Sequence, residues 1–170
     1  HGEWLRTVLL SAWGTANMRT GGDDVAQALA LMGCRPRWEA ASGRVIGFEI
    51  IPLGELKRPR VDVTFRVSGL FRDAFPTQMD LIDSAARAIA GLDEEAEANP
   101  LAEAVRREAA ELAAAGLSDD DALRRAATRV FGAKPGAYGA GLQALIDEKG
   151  WASRDDFARA YLAWGGFAYG

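Results

Sequence analysis

Histidine and cysteine are almost missing from this 170-residue sequence, which has one of each, His1 and Cys34. With its one imidazole at the terminus, the chain holds no internal Ser-His-Asp triad, no Cys-His dyad and no two-histidine metal site. A single thiol excludes an internal disulfide and fits a reducing compartment. Cys34, followed by Arg35-Pro36, reads as a small core residue. An excess of positive charge is also lacking: 20 Lys and Arg against 24 Asp and Glu give a net charge of −4 and a pI near 5.1. That balance argues against a general nucleic-acid binder, which needs a basic face. Long apolar runs are absent, since Arg6 and Asp23 interrupt the first hydrophobic stretch, so no membrane span is expected. There is no basic-then-apolar leader, and the expected location is the cytoplasm. Neither a Walker A loop nor a GxGxxG fingerprint occurs, so the sequence offers no nucleotide site of its own. The chain opens on HGEW and stops after an aromatic-rich stretch, and it is expected to be an internal fragment.

What is present is ordinary for a globular protein: 49% hydrophobic and 26% charged residues in 18.2 kDa, enough for one buried core. The fold class expected is α/β, with a short, mostly parallel sheet from the first half and an α-helical second half. Strands are expected near 6–12, 44–51 and 61–67, and the division falls at 1–78 and 79–170. Residues 13–22, WGTANMRTGG, read as a loop, and 23–32 as a helix stopped by Gly33. Strand, loop, helix, strand is the pattern of a parallel crossover unit. Beyond residue 79, Leu81, Ile82, Ala85, Ala86 and Ile89 recur at helical spacing, as do Leu101, Val105, Ala109 and Leu112. Ser118 with Asp121, and Ser153 with Asp156, have the spacing of helix N-caps with an acidic partner. Leu123, Ala126, Ala127 and Val130 are expected to form a buried stripe, and Asp93–Glu97 a solvated turn.

Three polar, glycine-rich stretches could carry chemistry. In 13–22 the glycines let a ligand approach the backbone, and Arg19 can pair bidentately with a carboxylate. A plain strand-to-helix turn explains the same residues equally well. In SGLFRDAFP, 68–76, Arg72 and Asp73 either cap and pair locally or face a cleft shared with the first loop. Two parallel strands would bring those loops together at their carboxyl ends. The third stretch, 129–142 (RVFGAKPGAYGAGL), is forced into a structured turn by Pro135 and its glycines. Close backbone packing is the favoured reading there, with a ligand lip as the other.

These motifs carry a resemblance. WGTANMRTGGDDVAQALALMG, GRVIGFEIIPLGELKRPRVDV, SGLFRDAFP, RVFGAKPGAYGAGL and WGGFAYG, in this order over nearly the whole chain, resemble the large-subunit family of aerobic cobaltochelatase and magnesium chelatase. AKPGAYGAGLQALID and MRTGGDD resemble the cobalt branch more than the magnesium one. The resemblance implies a much longer cytoplasmic subunit that binds hydrogenobyrinic acid a,c-diamide and takes Co²⁺ as substrate metal. Two smaller ATPase-type subunits would consume ATP-Mg and drive insertion. The substrate's anionic arms would suit arginines, so Trp13, Thr15, Arg19, Thr20, Ser68, Arg72 and Asp73 are the expected substrate-binding residues. Arg19→Ala and Arg72→Ala would then weaken substrate binding without unfolding. The resemblance carries over no cobalt ligand and no catalytic base. The alternatives are the magnesium counterpart, acting on protoporphyrin IX, and a non-catalytic α/β module for an anionic ligand or a protein partner.

Overall fold

A computed structural model describes residues 2–170. The chain runs β1 (Thr7–Ala12), α1 (Gly14–Thr20), α2 (Asp23–Met32), β2 (Cys34–Trp38), β3 (Val45–Ile50), α3 (Leu53–Leu56) and β4 (Asp62–Val67). It continues α4 (Gly69–Ala74), α5 (Pro76–Ala90), α6 (Pro100–Ala114), α7 (Asp119–Ala126), β5 (Val130–Gly132), α8 (Gln143–Asp147), α9 (Arg154–Gly165) and β6 (Phe167–Tyr169). The architecture is mixed α/β. Its main sheet has the order β1-β4-β5-β6, parallel except for the last pair. β1 and β4 run in register from Thr7 opposite Asp62 to Ala12 opposite Val67, so their carboxyl ends are level.

Alternation along β4 builds the core. Val63, Phe65 and Val67 are buried on one face, against Val25, Leu29 and Met32 of α2 and Ile82, Ala86 and Ile89 of α5. The 3.6-residue spacing of those helical positions matches the period-2 face of the strand, which is why both stripes disappear together. Phe71 of α4 closes the carboxyl end of this core edge-to-face on Phe65, at 5.7 Å between ring centroids. Helix α2 ends where expected, because Gly33 takes the left-handed conformation (φ 82°) and its N–H returns to the last turn. Among the described residues, no helix is long and apolar enough to cross a membrane.

Several expectations need correction. Residues 14–20 are a helix, not a loop; it makes about two turns and is capped by left-handed Gly21. The expected strand near 44–51 exists, but it pairs antiparallel with β2 in a separate two-stranded sheet. The second half is not all helical, since β5 and β6 complete the main sheet. Val130 lies in β5 and not on a helical stripe, and Leu123 is 54% exposed. Glu94, in the stretch expected to be solvated, instead clasps the fully buried Arg60 with both carboxylate oxygens, at 2.7 and 2.9 Å. The caps at Ser118 and Ser153 are both formed, the second as a full capping box.

Candidate functional site

At the carboxyl edge of β1 and β4 two helix N-termini lie side by side. The Ser68 hydroxyl holds them together: it accepts the Phe71 N–H at 3.2 Å, capping α4, and the Gly14 N–H at 3.2 Å, at the start of α1. The approach is close enough to require glycine. A Cβ on Gly14 would lie 2.6 Å from Leu70 Cγ, and one on Gly69 would lie 2.6 Å from Tyr138 Cδ1 and 2.8 Å from the Ala137 carbonyl oxygen. The two stretches predicted to meet at this edge do meet, and the third packs onto them. Trp13, the residue before α1, leaves the edge half exposed, and Thr15 in the first turn is exposed beside it.

Arg72 and Asp73 divide the work differently from the cleft reading. The Arg72 side chain turns inward and is 8% exposed. Its Nη1 donates to the carbonyls of Ala133, Lys134 and Ala137 at 3.2, 2.7 and 3.1 Å, fastening α4 to the third stretch. Its Nε and Nη2 donate to the two Asp73 oxygens at 2.6 and 2.9 Å. All its hydrogen-bonding edges are therefore committed within the chain. Asp73 also accepts the Tyr138 hydroxyl at 2.6 Å. Arg72, and then Tyr138, hold this carboxyl below the usual carboxylate range, and the same bond pushes the Tyr138 phenol up. Asp73 is thus a fixed anion on the surface and a poor proton acceptor.

Arg19 and Thr20 sit at the far end of α1, away from Ser68, and both are exposed. Thr20 Oγ1 accepts the Asp23 N–H at 3.2 Å and so helps start α2. Arg19 makes no hydrogen bond or ion pair among the described residues. It is the one arginine of the expected set whose guanidinium faces solvent. Next to it, a groove of about 1020 Å³ runs between the β2–β3 hairpin and α5, lined by Trp38, Val45, Phe48, Phe75 and Leu81 and reaching Gly21. Gln78 lines it as well and accepts from Asn17 of α1 at 2.8 Å, joining groove to edge. Sequence reasoning missed this groove, because β2 carries Pro36 and two arginines and does not read as a strand. Asn17, 2% exposed, was also missed, and its position inside a seven-residue helix gives no signal.

Cys34 is 2% exposed, and burial pushes its thiol from 9.0 up to about 11, opposed by nearby Arg60. It is a core thiol, not a thiolate. Among the described residues no group of three or more His, Cys, Asp or Glu is placed to hold a metal ion.

The sequence model of the CobN/Magnesium Chelatase family matches residues 1–170. The chain belongs to this family. It is 61% identical over its full length to the aerobic cobaltochelatase subunit CobN of Sinorhizobium sp, of which it covers 13%. It is 41% identical to the corresponding magnesium-chelatase subunit of Rhodobacter capsulatus, covering 14%. Among solved structures, it superposes on the catalytic subunit of cobaltochelatase from Mycobacterium tuberculosis with a TM-score of 0.89 and 53% identity, over 100% of this chain and 14% of that one. The chain therefore spans about a seventh of the proteins it matches. In this CobN/magnesium chelatase family member the diagnostic stretches are also the ones that interlock. WGTANMRTGG forms α1, SGLFRD forms α4, AKPGAYG supplies the carbonyls around Arg72, and the terminal FAY pairs with β5, where Tyr169 donates to the Ala133 carbonyl at 2.5 Å.

Proposed function

We propose that this chain is part of the tetrapyrrole- and metal-binding subunit of an ATP-dependent, cytoplasmic cobaltochelatase. The whole enzyme inserts Co²⁺ into hydrogenobyrinic acid a,c-diamide on the route to cobalamin. Two smaller partner subunits bind ATP-Mg and hydrolyse it; this chain does neither. The observation that carries the reading is the gap in similarity, 61% to a cobaltochelatase subunit against 41% to a magnesium-chelatase subunit.

Insertion replaces two pyrrolic protons by one divalent metal and strips water from the ion, so it needs a shaped, dry pocket and a proton acceptor. The carboxyl edge and the adjoining groove supply shape. Trp13, half exposed, and the aromatic and aliphatic side chains of the groove beside α1, which Arg44 and Asp80 also line, suit the face of a macrocycle. Arg19, unpaired, suits an anionic arm, with Thr15 and Thr20 as neutral donors on the same short helix. Ser68, Arg72 and Asp73 hold this wall in shape and do not themselves reach substrate. The proton acceptor comes from elsewhere in the longer subunit, since Asp73 is held ionised and saturated by Arg72 and Tyr138.

The full-length subunit, with its ATPase partners and ATP, is to be offered Co²⁺ and Mg²⁺ with hydrogenobyrinic acid a,c-diamide and with protoporphyrin IX. Cobalt insertion into the first substrate alone is expected. Magnesium insertion into protoporphyrin IX would overturn the proposal.

A further inference from the structure

Four arginines are buried among the described residues, and three are fully paired. Arg60 holds Glu94 and three carbonyls, Arg72 holds Asp73 and three carbonyls, and Arg129 holds Asp62 and two carbonyls. Arg66, in β4, is different. It is 4% exposed; its Nε and Nη2 are enclosed with no hydrogen-bond partner among the described residues, and Nη1, also without one, is the atom that still reaches the surface. Its guanidinium carbon lies 4.6 Å from the centre of the Tyr161 ring. The Gly165 backbone presses on the same group, where a Cβ would come within 3.1 Å of Nε. An arginine cannot shed its charge, and one aromatic face is a weak substitute for a carboxylate. Buried charges without a partner are costly enough that folded proteins pair them.

The register shows from which side a partner can come. Arg66 stands opposite Ser11 of β1 on one side and Phe131 of β5 on the other, all on the sheet face turned away from the α2–α5 core. β1 is an edge strand, the one next to β4, and on this face Ser11 is exposed and Leu9 is 50% exposed. An unpaired edge with an exposed leucine beside an unpaired buried cation is a surface that calls for polypeptide cover. A free solvated anion would leave Leu9 in water and would gain nothing from the open edge.

We infer that a segment of the same longer polypeptide, outside these 170 residues, packs across β1 and places an Asp or Glu carboxylate on Arg66. This rests on the reading of the chain as part of a longer subunit, for which the length is available: the chain covers 13–14% of the relatives it matches. It explains why Arg66 alone lacks an acid, since the acid lies elsewhere in the sequence.

An electron cryo-microscopy structure of the full-length subunit tests this, together with thermal unfolding of full-length Arg66→Met and Arg66→Lys. The expected result is a carboxylate from outside the 170 residues in contact with the guanidinium. Arg66→Met should lower the Tm by about 5 °C, and Arg66→Lys should recover part of that loss. A guanidinium open to water, a small anion bound there, or an Arg66→Met Tm that is unchanged or raised would overturn the inference. A carboxylate seated on Arg66 in a subunit that inserts magnesium would sustain it while ending the cobalt reading.

Discussion

Arg72→Met keeps an unbranched apolar stem and removes the guanidinium, and the geometry sets the size of its effect. The ion pair with Asp73 is discounted, because that carboxylate is on the surface and screened by solvent. The Nη1 bonds to Ala133, Lys134 and Ala137 are what remain. The Ala133 carbonyl keeps its Tyr169 donor and the Lys134 carbonyl keeps the Ala137 N–H, so one carbonyl, that of Ala137, loses its partner outright. At about 1.5–3 kcal/mol for a charge-assisted bond, the loss is about 1.5–3 kcal/mol. Urea unfolding of the chain, followed by circular dichroism, reads this directly. With an m-value of about 2 kcal/mol/M, the midpoint falls by about 1 M. Arg19→Ala is the control: an exposed, unpaired arginine changes stability by no more than about 0.5 kcal/mol. An Arg72→Met loss below about 1 kcal/mol would refute the inward assignment and restore Arg72 as a solvent-facing ligand group.

Gly69→Ala forces a methyl group onto the Tyr138 ring and the Ala137 carbonyl. A destabilisation of about 1–3 kcal/mol is expected, with faster proteolysis between residues 134 and 141; an unchanged midpoint would contradict the close approach. Cys34 carries a pH signature. Its folded pKa of about 11 stands above the ordinary 9.0, so its contribution to stability is intact below pH 9 and is lost as pH rises through 11. Stability measured from pH 8 to 11 should fall in the wild type and fall less in Cys34→Ala; parallel curves would contradict the burial.

The parts of the fold legible in the sequence were those governed by local period and capping. The strand at 61–67, the α5 and α6 stripes, the Gly33 stop and the Ser118 and Ser153 caps each depend on residues within a few positions. What stayed hidden depends on distant partners. α1 has no apolar stripe over its seven residues and is stabilised by docking on α4. β5 and β6 are three residues each and exist because β4 and each other offer edges. The candidate site shows the same division. That residues 13–22 and 68–76 would meet followed from parallel strands, but the direction of Arg72 could not. Its acceptors lie about sixty residues further along the chain, and the adjacent Asp73 suggested only a local pair. The Arg60–Glu94 clasp was missed for the same reason, an acidic run being solvated unless a buried cation claims it.

The edge formed by α1 and its neighbouring groove is the surface proposed to face the tetrapyrrole. Titration of the full-length protein with hydrogenobyrinic acid a,c-diamide, wild type against Arg19→Ala and Trp13→Ala, tests that central claim most directly. A rise in Kd of about tenfold, corresponding to about 1.4 kcal/mol, is predicted for each variant, with the Tm unchanged. Wild-type affinity in both variants would contradict it.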